Sequence, residues 1–144
     1  AGYPLEDLLE QLDSLFQKNK QHNIIIIGMG NIGNALVNYR GFKTRGIMIK
    51  SGFDNDVDKF KINYPVPVYP LEYLPNFVKM HNVKIAVLAT SLDSAQSVTD
   101  LLVDSGIKGI MNFTYANLRV PQDVHVIHIS LTDTLESLVF LTSQ

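Results

Sequence analysis

Short, unbroken apolar runs alternate along this chain with stretches whose apolar residues recur every three or four positions. That is the pattern of strands interleaved with helices. Leu5, Leu8, Leu9, Leu12, Leu15 and Phe16 predict an amphipathic helix over 5–18, with Asp and Glu on much of its opposite face. A polar linker, 18–23, leads into four consecutive isoleucines at 24–27, which suit a strand buried on both faces. Further strands are predicted at 46–53, 83–89, 106–113 and 124–129. Helices are predicted at 71–80, 93–104 and 132–141. Pro65, Pro67 and Pro70 restrict the segment between to an extended edge or loop.

Strands and helices alternating at this spacing predict an α/β fold, a doubly wound, mostly parallel, Rossmann-like sheet with a leading helix and a C-terminal helix. The expected organisation is a leading helix and linker over 1–20, a central domain over 21–131 and a terminal helix over 132–144. Right-handed crossovers bring the carboxyl ends of all strands to one edge. Gly28, Asp54, Thr90 and Asn112 all fall at such ends. Four separate regions therefore converge on the edge where open α/β sheets bind ligands.

The first of these ends carries a motif. Gly28-Met29-Gly30-Asn31-Ile32-Gly33 is G-x-G-x-x-G placed between a strand and a helix candidate. Its glycines permit a tight turn, close approach to a pyrophosphate and close strand–helix packing. Asn34 to Tyr39 continues as helix, so its N-terminal amides face the phosphates. Asp54 follows Gly33 by about 20 residues, just after Phe53 at the end of the second strand, where an acid accepts hydrogen bonds from ribose hydroxyls. It would repel the 2′-phosphate of an NADP-type ligand, while Lys50, earlier in that strand, reads as solvated. The motif favours NADH/NAD+ as ligand, with CoA or a bare nucleotide as rivals. Phe113, just past a strand, suits either a pocket wall or core packing.

Composition narrows the classes. With 144 residues the chain is one domain's worth, and 46% hydrophobic residues exclude disorder. No apolar run approaches the roughly 20 residues that span a bilayer, and no signal stretch is evident, so a cytoplasmic location with no membrane partner is expected. No cysteine is present, which removes disulfides and thiol chemistry, and a net charge of −2 gives no footprint for nucleic acid. His125 and His128 are spaced for opposite faces of a strand, so no metal site is expected. No Ser-His-Asp or Cys-His arrangement is suggested. A dehydrogenase would need a proton donor beside the hydride site and a substrate domain. The inventory points to binding rather than turnover, with no catalytic residue. The chain begins Ala-Gly-Tyr rather than Met, as expected of a fragment.

Beyond the glycines, several segments resemble the Rex family of redox-sensing transcriptional repressors. They are Gly28-x-Gly30-Asn31-Ile32-Gly33-x-Ala35-Leu36-x-Asn38-Tyr39-x-Gly41-Phe42, Gly52-Phe53-Asp54-x-Asp56, Ala95-Gln96, Gly106-Ile107-Lys108-Gly109-Ile110-x-Asn112-Phe113, Leu118-x-Val120-Pro121, Val124-x-Val126 and Leu131-Thr132. The later ones are the more diagnostic, because a generic Rossmann domain does not need them. The similarity runs nearly end to end but covers only the family's NAD(H)-binding half; Gly2-Tyr3 looks like the last trace of its N-terminal winged helix. The resemblance implies a homodimer in which NADH favours a closed form that releases DNA. Operator DNA would be contacted only through a winged helix missing from this chain. It also implies that Tyr39 lies close to the nicotinamide and that helix 132–141 swaps across the dimer. Apolar spacing alone fits equally a helix folded back on its own sheet.

Departures from the family concentrate at the strand ends. Ser130 replaces an Asp that the family uses in a charge-linked nicotinamide switch. Thr90-Ser91 stands for Val-Pro, Thr114-Tyr115 for Ala-Pro, and the loop after Asp56 is shortened, without a glycine near Phe60. These changes leave the adenine half of the site intact and weaken the basis for a nicotinamide response. The alternative of another class is a CoA-binding subunit of an acyl-CoA ligase. Such a domain shares the early glycines, but a carboxylate near the 3′-phosphate of CoA would be unfavourable.

Overall fold

The computed structural model describes residues 4–18 and 21–144, with the backbone alone for residues 13–18. The segment Gly2-Tyr3 and the side chains of Leu15 and Phe16 lie outside the described residues. Six strands form one sheet: β1 (His22–Ile27), β2 (Ile47–Phe53), β3 (Val68–Tyr69), β4 (Ile85–Leu88), β5 (Gly109–Asn112) and β6 (His125–His128). Their order is β3-β2-β1-β4-β5-β6, and every neighbouring pair is parallel. The helices are α1 (Leu5–Lys18), α2 (Asn31–Val37), α3 (Leu74–Met80), α4 (Ala95–Asp104) and α5 (Leu131–Thr142).

The isoleucine run has a direct structural cause. Ile25 and Ile27 point to the layer holding Phe53, Leu74, Val78, Val98 and Leu102. Ile26 points the other way, against Met29, Val37 and Val87. Both faces of β1 are covered, so no polar residue can alternate in. Truncating one of these isoleucines to Ala removes about 2–5 kcal/mol, as for other close-packed core sites.

Ile24 pairs with Ile49 and Ile25 with Ser51, so Lys50 is the extra residue of a bulge between β1 and β2. The proline-rich segment yields only the two-residue edge strand β3. There Pro67 acts as an acceptor, its carbonyl taking the Gly52 amide at 3.0 Å.

Strand order reverses about β1: β2 and β3 lie to one side, β4 to β6 to the other. The crevice of such a sheet opens at that reversal, between the carboxyl ends of β1 and β4.

α5 behaves differently from the other C-terminal elements. None of its side chains is buried, and Leu135, Leu138, Val139, Phe140 and Leu141 are all more than half exposed. It does not fold back onto its own sheet in this chain. Ser130 caps it, accepting the Asp133 amide at 3.1 Å.

Candidate functional site

The turn after β1 is built around three glycines that do different things. Gly28 has φ +98°, and a Cβ there would strike the Ala89 carbonyl at the end of β4. Its amide donates to the Phe53 carbonyl at 2.8 Å, so β1, β2 and β4 are tied together at this point. A Cβ at Gly33 would strike the Gly28 carbonyl, so this glycine lets α2 close on the turn. Gly30 precedes α2 as its N-cap and has open space where a side chain would be. It is the glycine that leaves room for a ligand.

Met29, between them, is fixed from three sides. Its amide donates to Asp54 Oδ2 at 2.8 Å. Its carbonyl accepts from the Tyr64 hydroxyl at 3.4 Å. The residue is 1% exposed, and its thioether occupies the space over Gly52. The side chain is core, and the amide is already committed to Asp54 rather than offered to a phosphate.

Asp54 also accepts the Asp56 amide, through Oδ1 at 2.8 Å. A carboxylate has about four lone-pair positions, so each oxygen keeps one for an incoming hydroxyl.

Asp54 borders a cavity of about 520 Å³ lined by Gly28, Phe53, Thr90, Ser91, Ser94 and Ser97 together with apolar Leu71, Val98 and Leu101. Of the residues expected at the ligand, the structure thus gathers Gly28, Phe53, Asp54 and Thr90 into one crevice. Among the described residues, no Lys or Arg lines it. An anion here would rest on backbone amides, including those of the first turn of α2 that lack intrahelical acceptors. Asn31 is exposed and Ile32 half-buried in that turn, outside the cavity.

Other expected site residues lie elsewhere. Asn112 is fully buried with its amide saturated: Nδ2 faces the Ala116 carbonyl and His128 Nδ1, and Oδ1 accepts the Thr114 amide and hydroxyl. It has no polar atom left for a ligand; it shapes the loop after β5. Phe113 packs with Ile26, Met29, Val37 and Val87 on the α2 face.

Tyr39 is also displaced from the crevice. α2 runs from the carboxyl edge of the sheet toward the amino edge, and Tyr39 follows its far end. Its ring lies over Gly41 and edge-on to Phe42 at 4.7 Å, beside Ile47 and Met48 at the start of β2. Within one chain, Tyr39 does not reach the crevice.

Sequence reasoning missed Ser94, Ser97, Leu71 and Tyr64. The signal for the serines was present: hydroxyls at 91, 94 and 97 recur at helical spacing just past a strand end. Tyr64 gave none, because its contact to the glycine turn is made from a loop.

A parallel sheet of this order, with a glycine turn at its reversal and an acid at the end of β2, defines a nucleotide-binding domain of the Rossmann class. A family model described as a CoA binding domain matches residues 19–116. The redox-sensing transcriptional repressor Rex of Desulforamulus reducens is 39% identical over 141 residues, covering 97% of this chain and 67% of its own length. The Rex of Carboxydothermus hydrogenoformans is 40% identical, covering 97% and 68%. That of Listeria welshimeri is 35% identical, covering 96% and 65%.

Among solved structures, RSP, a Rex-family repressor, superposes in complex with β-NADH at a TM-score of 0.86 with 34% identity, covering 99% of this chain and 69% of that one. Its complex with β-NAD+ and operator DNA gives 0.87, also at 34% identity, covering 98% and 65%. UDP-D-quinovosamine 4-dehydrogenase from Vibrio fischeri, 17% identical at a TM-score of 0.56, shares the fold alone and covers 82% of this chain and 86% of that one.

The chain belongs to the Rex family of redox-sensing transcriptional repressors, and its match to the CoA-binding model reflects the Rossmann frame common to both. It spans about two thirds of the length of these relatives.

Proposed function

We propose that this chain is the NAD(H)-sensing domain of a redox-responsive transcriptional repressor. In that reading it binds NADH and NAD+ without transferring hydride. The observation that carries it is Asp54: it is fixed to the glycine turn through Met29 and keeps acceptor capacity toward the cavity. That is the arrangement a ribose diol requires. Open space at Gly30 suits the pyrophosphate, and the apolar cavity wall suits a flat base.

Repression would operate through a homodimer, with operator DNA held by a winged-helix segment and the whole acting in the cytoplasm. α5 supports the dimer: a 12-residue helix with no buried side chain is marginal by itself and needs a partner surface. Any approach of Tyr39 to a nicotinamide would then have to come from a second copy. NADH and NAD+ shift the dimer only to the extent that they bind its two forms differently. A hundredfold discrimination corresponds to about 2.7 kcal/mol.

Calorimetric titration with NADH, NAD+ and CoA in parallel tests this. Tighter binding of NADH than of NAD+ is the expected result. Equal binding leaves a scaffold without a redox readout, and binding of CoA alone returns the chain to the CoA-carrying class.

A further inference from the structure

Asn112 and His128 are register partners on β5 and β6, and their side chains meet at 3.0 Å, Nδ2 to Nδ1. The polarity of that bond is fixed by a third group. The Thr114 amide can only donate, and it donates to Asn112 Oδ1 at 2.9 Å, so the oxygen is settled. Nδ2 is then the donor, with one proton on the Ala116 carbonyl at 3.1 Å and the other directed at His128 Nδ1. An imidazole nitrogen accepts only when it carries no proton. His128 is therefore neutral in this arrangement, with its proton on Nε2.

The two residues respond differently to acid. Asn112 is fully buried and cannot turn over without leaving the Thr114 amide unpaired, whereas His128 is exposed to water. Protonating His128 sets an N–H on Nδ1 against an N–H on Nδ2. The ring must then turn outward, and a buried amide proton loses its acceptor. No nearby charge offsets this. Among the described residues, Asn112 is the ring's one hydrogen-bond partner, and no ion pair includes His128. His125, the other titratable group of β6, lies three residues back and so on the opposite face. Lys108, just before β5, is taken by Asp123 at the other end of the two strands. On the loop after β5, the Tyr115 hydroxyl is engaged by Thr132 Oγ1 at 3.3 Å. Asp133 and Glu136 are the acids of α5, and neither has a bond to the ring.

The pair stands at the root of α5. Asn112 holds the loop that carries Tyr115, and Thr132 belongs to the first turn of that helix. Ser130, two residues after His128, caps it.

We infer that Asn112 and His128 form a proton-controlled latch, closed by the neutral imidazole and opened by its protonation, which sets the order of loop 113–116 and of the first turn of α5. His128 is a positioning residue that acts through Asn112. The latch is closed above the range in which histidines titrate and open below it. It goes beyond the sensor reading and needs no bound nucleotide. Its effect on assembly rests on the proposed dimer: where α5 joins two copies, an open latch weakens their association.

The test measures amide protection factors at Thr114, Ala116 and Thr134 by NMR, at about pH 8 and about pH 5.5, on either side of that range. The unmodified chain is compared with His128→Asn and His125→Asn, and sedimentation follows assembly in the same samples. Asn at 128 offers an acceptor oxygen where Nδ1 stands and does not titrate. Protection in the unmodified chain should fall about fivefold at the lower pH, as for the loss of one buried hydrogen bond. His125→Asn should behave alike, and His128→Asn should hold its values. An unmodified chain indifferent to pH, or a His128→Asn variant that falls with it, overturns the inference. So does a loss of protection shared equally by the core strands. Should His128→Asn not fold, the imidazole nitrogen shifts of the unmodified chain at about pH 8 decide. A bare Nδ1 supports the latch, and a protonated Nδ1 overturns it. A chain monomeric at both pH values, with the expected change in protection, overturns the dimer and keeps the latch.

Discussion

The Asp54 carboxylate and the Met29 amide are hydrogen-bonded at 2.8 Å, which locks the acid at the end of β2 to the middle of the glycine turn after β1. The group expected to receive the ribose therefore also holds the loop expected to receive the pyrophosphate. Asp54→Ala should weaken NADH and NAD+ alike, by at least tenfold, since hydrogen bonds to charged groups contribute about 1.5–3 kcal/mol. Parallel titrations check this. A loss confined to one redox form would show that Asp54 senses the nicotinamide instead.

The glycines of the turn should separate stability from binding. Gly28→Ala places a Cβ against the Ala89 carbonyl at a positive φ and should cost about 1–3 kcal/mol or more, seen as a lowered urea midpoint. Gly30→Ala meets nothing and should change stability by no more than about 1 kcal/mol. It should nonetheless reduce dinucleotide affinity, because the methyl fills the room a pyrophosphate needs.

Asn112→Ala would strip four hydrogen bonds from the loop after β5. A buried network left unpaired costs about 1–3 kcal/mol for each orphaned group. Faster amide exchange at Thr114 and Ala116, with ligand affinity falling less than in Asp54→Ala, is the expected signature of a shaping residue.

Lys108 and Asp123 form an exposed ion pair at 2.6 Å, and the Lys108 hydrogen bond holds the Asp123 carboxyl below its usual range. A carboxyl lowered by folding favours the folded state above its ordinary range and loses that contribution as acid protonates it in the folded protein. Water screens this exposed pair, so the effect on stability is small. NMR titration should find Asp123 titrating below the usual aspartate range, and Lys108→Met should return it toward that range.

Residues that declare themselves by burial were legible in the sequence. Ile24 to Ile27 could only be a strand covered on both faces, and Asp54 was placed by its distance from the glycines. Side-chain commitments were not legible. Asn112 sits at a strand end, as a ligand contact would, but its amide is consumed by Thr114, Ala116 and His128, and these contacts span a loop and a neighbouring strand. The distance of Tyr39 from the crevice within one chain was not legible for a similar reason: its position follows from the direction of α2 across the sheet, whereas motif spacing records only distance along the chain. The helical period of 132–141 was readable, but not the fact that its apolar side chains find no surface on their own sheet.

The exposed apolar side chains of α5 have a consequence for every measurement proposed above. If a second copy covers them, folding and assembly share one equilibrium, and the thermal midpoint rises with protein concentration. A titration run below the dissociation constant of that assembly would report a different molecule from one run above it. Heats of ligand binding near that constant would include the heat of subunits coming together.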